Sequence, residues 1–403
     1  MQDSAVAVKT TLPVFVLGLG WAPVGLGCAI TFMAIPQLLA SQNIAPDRIA
    51  SLTAFAVAPG FIAFLFGPLL DWRLKRKTYA IGFYLLGAVL LAAALLSTAN
   101  LTLLAALEFF AQLSLTIGSV ALGGWFSALV PKEKSGALGA WFTVWNIGMS
   151  GAAAMVTVPL IRTTSLGLGA GVIALWTAAP VLLLALLPCK PADKRLARES
   201  IRAFSGDVAA ILKSKLVLWT LLIFVSPVAS FTLVNLLGGL GNDFKTPEAT
   251  VSLLLGIGGV IAGIFGSLAM PVIERWITPR FLYLWIGLIG AAFSLVIALL
   301  LHSAASFAFA VLIENIGQAA GFSVAYAIML RTIKADDPLA ATQFALMNSA
   351  ICLPLTYMQV LDGQGYALSG VKGAFLMDGA VSALVCMILF AIFTLLKKRI
   401  PPG

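Results

Sequence analysis

Charge is what this sequence has least of: Asp, Glu, Lys and Arg together make up 10% of its 403 residues, where soluble domains carry roughly 25%. A chain so poor in charge cannot cover itself with an ordinary water-facing surface. Histidine is almost missing. The one copy, His302, falls at a loop between apolar runs, so neither a histidine-built metal cluster nor Ser-His or Cys-His catalysis has the residues it needs. Cysteine is sparse too: Cys28, Cys189, Cys352 and Cys386 lie in apolar runs or at a helix end, with no pair at the spacing of a metal or redox site. A structural disulfide is not expected. No Gly-x-x-x-x-Gly-Lys-Ser phosphate loop occurs, so ATP does not drive this chain from within. The expectation is a protein that is not an enzyme and holds no cofactor or metal.

What the sequence has in abundance is hydrocarbon, with 61% hydrophobic residues. At about 20 apolar residues per spanning helix, twelve segments can be read: about 12–39, 50–71, 78–98, 102–130, 137–161, 166–188, 216–240, 248–273, 281–301, 304–330, 339–361 and 371–396. The first is too long for the core of a signal peptide and is read as a retained helix. The fold class expected is an all-α membrane protein of twelve transmembrane helices. Orientation follows from the stretch Gly67 to Lys77, where an apolar run stops at Asp71 and four basic residues, Arg73, Lys75, Arg76 and Lys77. Short cytoplasmic loops carry the excess of Lys and Arg. With that loop inside, 21 of the 25 basic residues fall on the cytoplasmic side together with both termini, and only Arg48, Arg162, Lys245 and Lys372 fall outside. Topology therefore accounts for the net charge of +9, and no nucleic-acid partner is expected. The segments lie in the cytoplasmic membrane, in contact with lipid.

The chain divides into six plus six. Residues 1–188 form one half and 216–403 the other, joined by the polar stretch 189–215, in which Ile201, Phe204, Val208 and Ile211 recur at helical spacing. That pattern predicts an amphipathic helix lying on the inner surface. The halves also repeat. Pro68-Leu69-Leu70-Asp71 returns as Pro271-Val272-Ile273-Glu274, 203 residues on, and Glu108-Phe109-Phe110-Ala111-Gln112 returns as Glu314-Asn315-Ile316-Gly317-Gln318, 206 residues on. An even number of spans separates the copies, so the repeats are parallel and predict two pseudo-symmetric six-helix bundles.

The motif at the end of the second segment resembles the signature Gly-x-Leu-x-Asp-Arg-x-Gly-Arg-Arg of the major facilitator superfamily. Here it reads Gly67-Pro68-Leu69-Leu70-Asp71-Trp72-Arg73-Leu74-Lys75-Arg76, with Trp72 and Leu74 in place of the first Arg and the second Gly. A narrower resemblance is to the branch that holds the muropeptide permease and the acetyl-CoA transporters. Glu314-Asn315, Gly321 to Tyr326, Ala341 to Leu346 and Trp125 to Gly136 carry it; where that branch has an acid before the Trp, this chain has Gly123-Gly124. The resemblance implies a transporter working by alternating access.

An ionisable side chain in hydrocarbon costs at least about 2.5 to 3.5 kcal/mol, so each one inside a span is a candidate for function. Three stand out: Glu108, Glu314 and Asp378. A residue and the one four further on share a helix face, which groups Glu108 with Gln112 and Glu314 with Gln318. If both faces line the gap between the bundles, these four converge on one axis and take up a proton or bind substrate. The alternative is neutral Glu fixing helix packing. Asp378, two turns into the last segment, lies within reach of interfacial water. Trp141, Trp145, Asn146, Asn315, Tyr326, Gln343 and Asn348 are candidates for a cavity wall, against the reading that they only pack helices. Asp71, with Arg73, Lys75 and Arg76, is read as a cytoplasmic gate, its carboxylate accepting hydrogen bonds from the start of a neighbouring helix, the eleventh; Glu274 mirrors it.

No basic residue lies clearly inside a span, which favours a neutral, zwitterionic or cationic solute. The function expected is a monomeric secondary transporter for a small organic solute, coupled to protons. The alternative is a membrane receptor or assembly protein that keeps the fold but transports nothing. Reconstituted vesicles separate the two: solute flux that responds to an imposed pH gradient supports the transporter, and binding without flux supports the receptor.

Overall fold

The computed structural model describes residues 12–395, apart from positions 73, 190–205, 207, 208, 212, 301, 335 and 336. Every regular element among the described residues is helical. Hydrocarbon demands this, because a backbone N–H or C=O without water must find its partner inside the same segment. Most of the predicted linker helix, 189–215, and Arg73 lie outside the described residues.

Ten helices are long and apolar enough to cross a membrane. In chain order they begin with α1 (Val14–Ser41), α2 (Ser51–Leu70), α3 (Arg76–Leu96), α4 (Leu101–Leu129), α5 (Lys132–Thr163) and α6 (Leu166–Leu186). The short helix α7 (Lys215–Val225) follows, then α8 (Glu248–Ile273), α9 (Pro279–Leu299) and α10 (Ala304–Thr332). The last element, Ala340–Leu395, is two helices end to end, α11 over 340–368 and α12 over 371–395. They meet at Ser369 and at Gly370, whose φ of 61° needs a residue without a Cβ. With that division, and with α7 opening the seventh segment, the helices follow in order the twelve segments read from the sequence.

Two segments depart from expectation. The seventh, predicted as one span over 216–240, breaks after Val225: Pro227–Ala229 form a turn of 3-10 helix, Phe231 takes a positive φ of 43°, and helix resumes only at Leu233–Leu237. Pro227 has no N–H to give to the turn before it, which stops α7 there. The eleventh, predicted to end at 361, runs on to 368. Gly363 and Gly365 do not interrupt it, and a Cβ on Gly365 would lie 2.5 Å from the Gly373 carbonyl oxygen. The glycine serves the close approach of α11 to α12 and not a turn.

Proline also shapes α1. Pro36 cannot bond the carbonyl one turn back, and just there the helix widens into a π turn over Ile30–Ala34. Thr31 sits in that turn.

The chain folds as two compact units. The first comprises Met1–Ser135, Gly148–Leu212 and Ile333–Ser349; the second comprises Gly136–Ile147, Lys213–Thr332 and Ala350–Gly403. The start of α11 thus packs within the first unit and the start of α5 within the second. Large apolar side chains stand exposed along α3 (Leu85, Val89, Leu96) and α6 (Leu168, Leu175, Leu182, Leu186). Contiguous apolar faces of this kind suit a bilayer and not water.

Inside the second unit, α8 lies on α10 through Gly266, where an added Cβ would come within 2.4 Å of the Ile316 carbonyl oxygen. Close backbone approach of this sort is how helices associate in lipid. Gly266→Leu is therefore expected to lower the thermal unfolding midpoint of the detergent-purified protein, by the equivalent of about 1–3 kcal/mol of overpacking. Gly256→Leu, at a position with nothing within 4 Å, should stay within about 0.5 kcal/mol of the parent in the same assay.

Candidate functional site

Three groups of buried polar side chains stand out. The first is on α4. Glu108 is fully buried, and its Oε2 accepts a hydrogen bond of 2.5 Å from Thr31 Oγ1 of α1. Gln112 Nε2 donates in turn to Thr31 Oγ1 at 2.6 Å. Glu108 and Gln112 do share a face, as their spacing predicts, and the hydroxyl that joins them is held out by the π turn. Such turns recur at functional sites. Glu108 Oε1 has no hydrogen-bond partner among the described residues.

The second group lies in the interior of the second unit. Glu314 of α10 is 1% exposed, and its Oε1 accepts a long hydrogen bond of 3.4 Å from Ser294 of α9. The same hydroxyl lies 2.7 Å from Asp378 Oδ2 of α12. Asp378 is buried, at 5% exposure. The sequence placed it within reach of interfacial water, but the hydroxyl of α9 draws it inward. A third carboxylate was not foreseen: Asp362 of α11 is fully buried and accepts from Thr232 Oγ1 at 2.5 Å. With the eleventh segment ended at 361, Asp362 read as a loop residue. The signal that could have found it is the apolar run Tyr366-Ala367-Leu368 beyond those glycines. Gln318 points elsewhere, its Nε2 reaching the Phe231 carbonyl at 3.4 Å. Glu108 and Glu314 are each held by partners from their own unit.

The third group stands at the end of α2. Asp71 accepts from the backbone N–H groups of Ala341 (3.1 Å) and Thr342 (2.8 Å), from the Thr342 hydroxyl (2.8 Å), and from Arg76 Nε (2.7 Å). A carboxylate thus sits on the N-terminus of α11, where unpaired N–H groups and the helix dipole favour negative charge. Arg76 also donates to the carbonyls of Asp337 (2.9 Å) and Pro338 (2.8 Å). Burial pushes the Asp71 carboxyl above the ordinary range, with Arg76 and the Thr342 donors pulling it back. Gly123 and Gly124 of α4 admit the same helix start: a Cβ there would come within 2.5 Å of the Phe344 ring and 2.6 Å of Ala341 Cα. There is no space for an acid at these positions because the start of α11 occupies it.

Glu274, at the end of α8, repeats the arrangement in the second unit. It pairs with Arg331 Nη2 of α10 at 2.6 Å. Its Oε2 lies so near the start of α5 that a Cβ on Gly136 would meet it at 2.2 Å. Burial raises the Glu274 carboxyl and Arg331 draws it down. Lys75, exposed at the start of α3, takes no part in the Asp71 group.

The residues proposed for a cavity wall divide. Trp141, Trp145 and Asn146 of α5 are half-buried. Asn315 donates to the Val311 carbonyl of its own helix at 2.8 Å, and Tyr326 meets the Phe142 ring edge-on at 5.9 Å. Asn348 is buried in the first unit. Gln343 is misplaced in that set: its amide donates to Asp337 at 2.7 Å, so it braces the loop before α11.

Compared with known proteins, the family profile described as Major Facilitator Superfamily matches residues 17–354. No curated protein matches the chain. Among solved structures, the chain is similar to the proton:xylose symporter XylE bound to 6-bromo-6-deoxy-D-glucose, with a TM-score of 0.71, 13% identity, and 94% of each chain covered. It is similar to the human organic anion transporter MFSD10, with a TM-score of 0.72, 15% identity, and 93% of this chain and 98% of that one covered. A bacterial homologue of the iron transporter ferroportin, in an outward-facing state, gives a TM-score of 0.68 and 17% identity over 96% of this chain and 100% of that one. At such identities the likeness is one of fold.

Removing the Asp71 carboxylate strands Arg76 and two helix N–H groups. Asp71→Ala is expected to cost about 3–5 kcal/mol, as for one partner of a buried ion pair, and Asp71→Asn about 1.5–3 kcal/mol, as for a hydrogen bond to a charged group. Thermal unfolding of the detergent-solubilised variants measures both, and an Asn variant no more stable than the Ala variant would contradict the ranking.

Proposed function

Because the chain belongs to the major facilitator superfamily, we propose that it is a secondary active transporter that moves a small organic solute by alternating access, with protons as the coupling ion. That it is a multi-pass membrane transport protein follows from the family and from its apolar helices. The finer reading rests on one observation above others: Glu314 is buried at the middle of α10 with Oε2 lacking any partner among the described residues. A carboxylate in that position is costly unless it gains a proton or a cation. Glu108, at the matching place in the first half, is in the same situation. XylE, of similar fold, is a proton:xylose symporter.

The described basic residues within the spans, among them Arg76, Lys132, Arg162, Arg280, Arg331 and Lys372, stand at helix ends. A strongly anionic solute would call for a cation at mid-span, so a neutral, zwitterionic or cationic solute fits this chain better. Trp145, Asn146, Asn315 and Tyr326 are proposed to contact it. Asp71 with Arg76, and Glu274 with Arg331, are proposed as latches that hold helix starts on the cytoplasmic side. In this reading the chain works as a monomer in the cytoplasmic membrane with both termini inside, as two six-helix bundles of 1–188 and 216–403. It stands nearest the muropeptide permease and acetyl-CoA transporter branch.

Replacing Glu314 with Gln keeps the size and the hydrogen-bonding capacity and removes the titrating group. In proteoliposomes with an imposed pH gradient, the Glu314→Gln variant is expected to lose gradient-driven uptake. Flux in that variant with the same pH dependence as the parent would refute proton coupling through this residue, and solute binding without flux in the parent would favour the receptor reading.

A further inference from the structure

Asp362 is used by nothing described so far, and it lies deep in the second unit. Its Oδ2 is held by Thr232, the first helical-range residue after the break in α7. Its Oδ1 is buried with no partner among the described residues, as is Glu314 Oε2. The three carboxylates Glu314, Asp362 and Asp378 come from three different helices, yet each of the other two acts electrostatically on Glu314. Asp378 also acts on Asp362. Ser294 joins Glu314 to Asp378 through one hydroxyl. No basic side chain pairs with any of the three among the described residues. Among the described residues, the thiol of Cys386 on α12 also lies within electrostatic reach of Asp378.

The break in α7 is a second and separate observation. The irregular stretch between Val225 and Leu233 is packed into the unit's interior: a Cβ on Gly317 of α10 would come within 2.1 Å of the Phe231 ring, and one on Gly287 of α9 within 2.3 Å of the Val228 carbonyl oxygen. Irregular backbone at membrane depth is tolerated only where protein or a polar site surrounds it, and transporters place their coupling ions at such broken helices. Here the break delivers Thr232 to Asp362 and the Phe231 carbonyl to Gln318, four residues beyond Glu314.

We propose that Glu314, Asp362 and Asp378 form one proton-exchanging cluster inside the second unit, seated on the break in α7, in which Asp362 is a full member. Buried carboxylates gathered around one site without enough donors repel each other in a low dielectric, and a proton shared within the group converts the repulsion into an O–H···O bond. The step forms and breaks only an O–H bond. A proton from water arrives on a carboxylate oxygen, the neutral acid donates its hydrogen bond to a neighbouring carboxylate, and the proton returns to water when the cluster discharges. The proposal deepens the transporter reading and rests on it for the cluster's role in transport.

Infrared difference spectra of the full-length protein in lipid vesicles, titrated with pH, read the C=O stretch of protonated carboxyls directly. Asp362→Asn is expected to remove one such band and to shift the titration midpoint of those that remain by roughly one pH unit, a tenfold change in proton affinity. Thr232→Val keeps all three carboxyls and removes the donor to Asp362; it is expected to shift the Asp362 band and, with it, the titration midpoints of Glu314 and Asp378, and it serves as the test if the Asn variant does not fold. Bands that titrate independently of one another, or an Asp362 that stays ionised throughout, would overturn the cluster. So would midpoints that follow sodium when choline replaces it, since the occupant would then be a sodium ion. The outcomes separate from those of the transport assay. Independent bands alongside proton-driven flux defeat this proposal alone, and coupled bands in a protein without pH-dependent flux defeat the coupling reading instead.

Discussion

A carboxylate with no water to solvate it must find donors, a cation or a proton, and this requirement organises most of what is distinctive here. In hydrocarbon the backbone meets the same requirement by becoming helix, which is why every regular element described is one. The few ionisable side chains cannot do so alone. Each is placed where another element brings it something: helix N–H groups and a guanidinium to Asp71, Arg331 to Glu274, hydroxyls to Glu108, Asp362 and Asp378.

The two ends of the scale are informative. Asp71 has four donors and is satisfied; it behaves as a cap supplied from elsewhere in the chain, fixing where α11 begins. Glu314 has one long hydrogen bond and an oxygen left over. The first arrangement holds an element in place; the second is the one proposed to take up a proton.

Repetition in the sequence becomes repetition of geometry. Asp71 and Glu274 are 203 residues apart, and the helix starts they approach, at Thr342 and Gly136, are 206 apart in the opposite order. Each acid meets a helix start within its own compact unit. The glycines near these starts are explained by the same contacts. Gly123 and Gly124 give their space to Phe344 and Ala341, which leaves no room there for a larger side chain.

Composition and periodicity by themselves determined that the chain is an all-helical, multi-pass membrane protein and which face of α4 carries its acid and amide. These follow from local quantities: apolar run length and the 3.6-residue turn. Only the tertiary structure decided which carboxylates are neighbours. Asp362 was missed because the eleventh segment was ended at 361, whereas the helix runs on to 368 and Gly365 serves its contact with α12; Asp378 is buried beside a serine on a helix 84 residues away in sequence. The break after α7 was read as part of one span, and that it carries Thr232 to Asp362 depends on segments 130 residues apart packing side by side. Contacts between distant segments are set by the summed packing of many side chains, which no local pattern encodes.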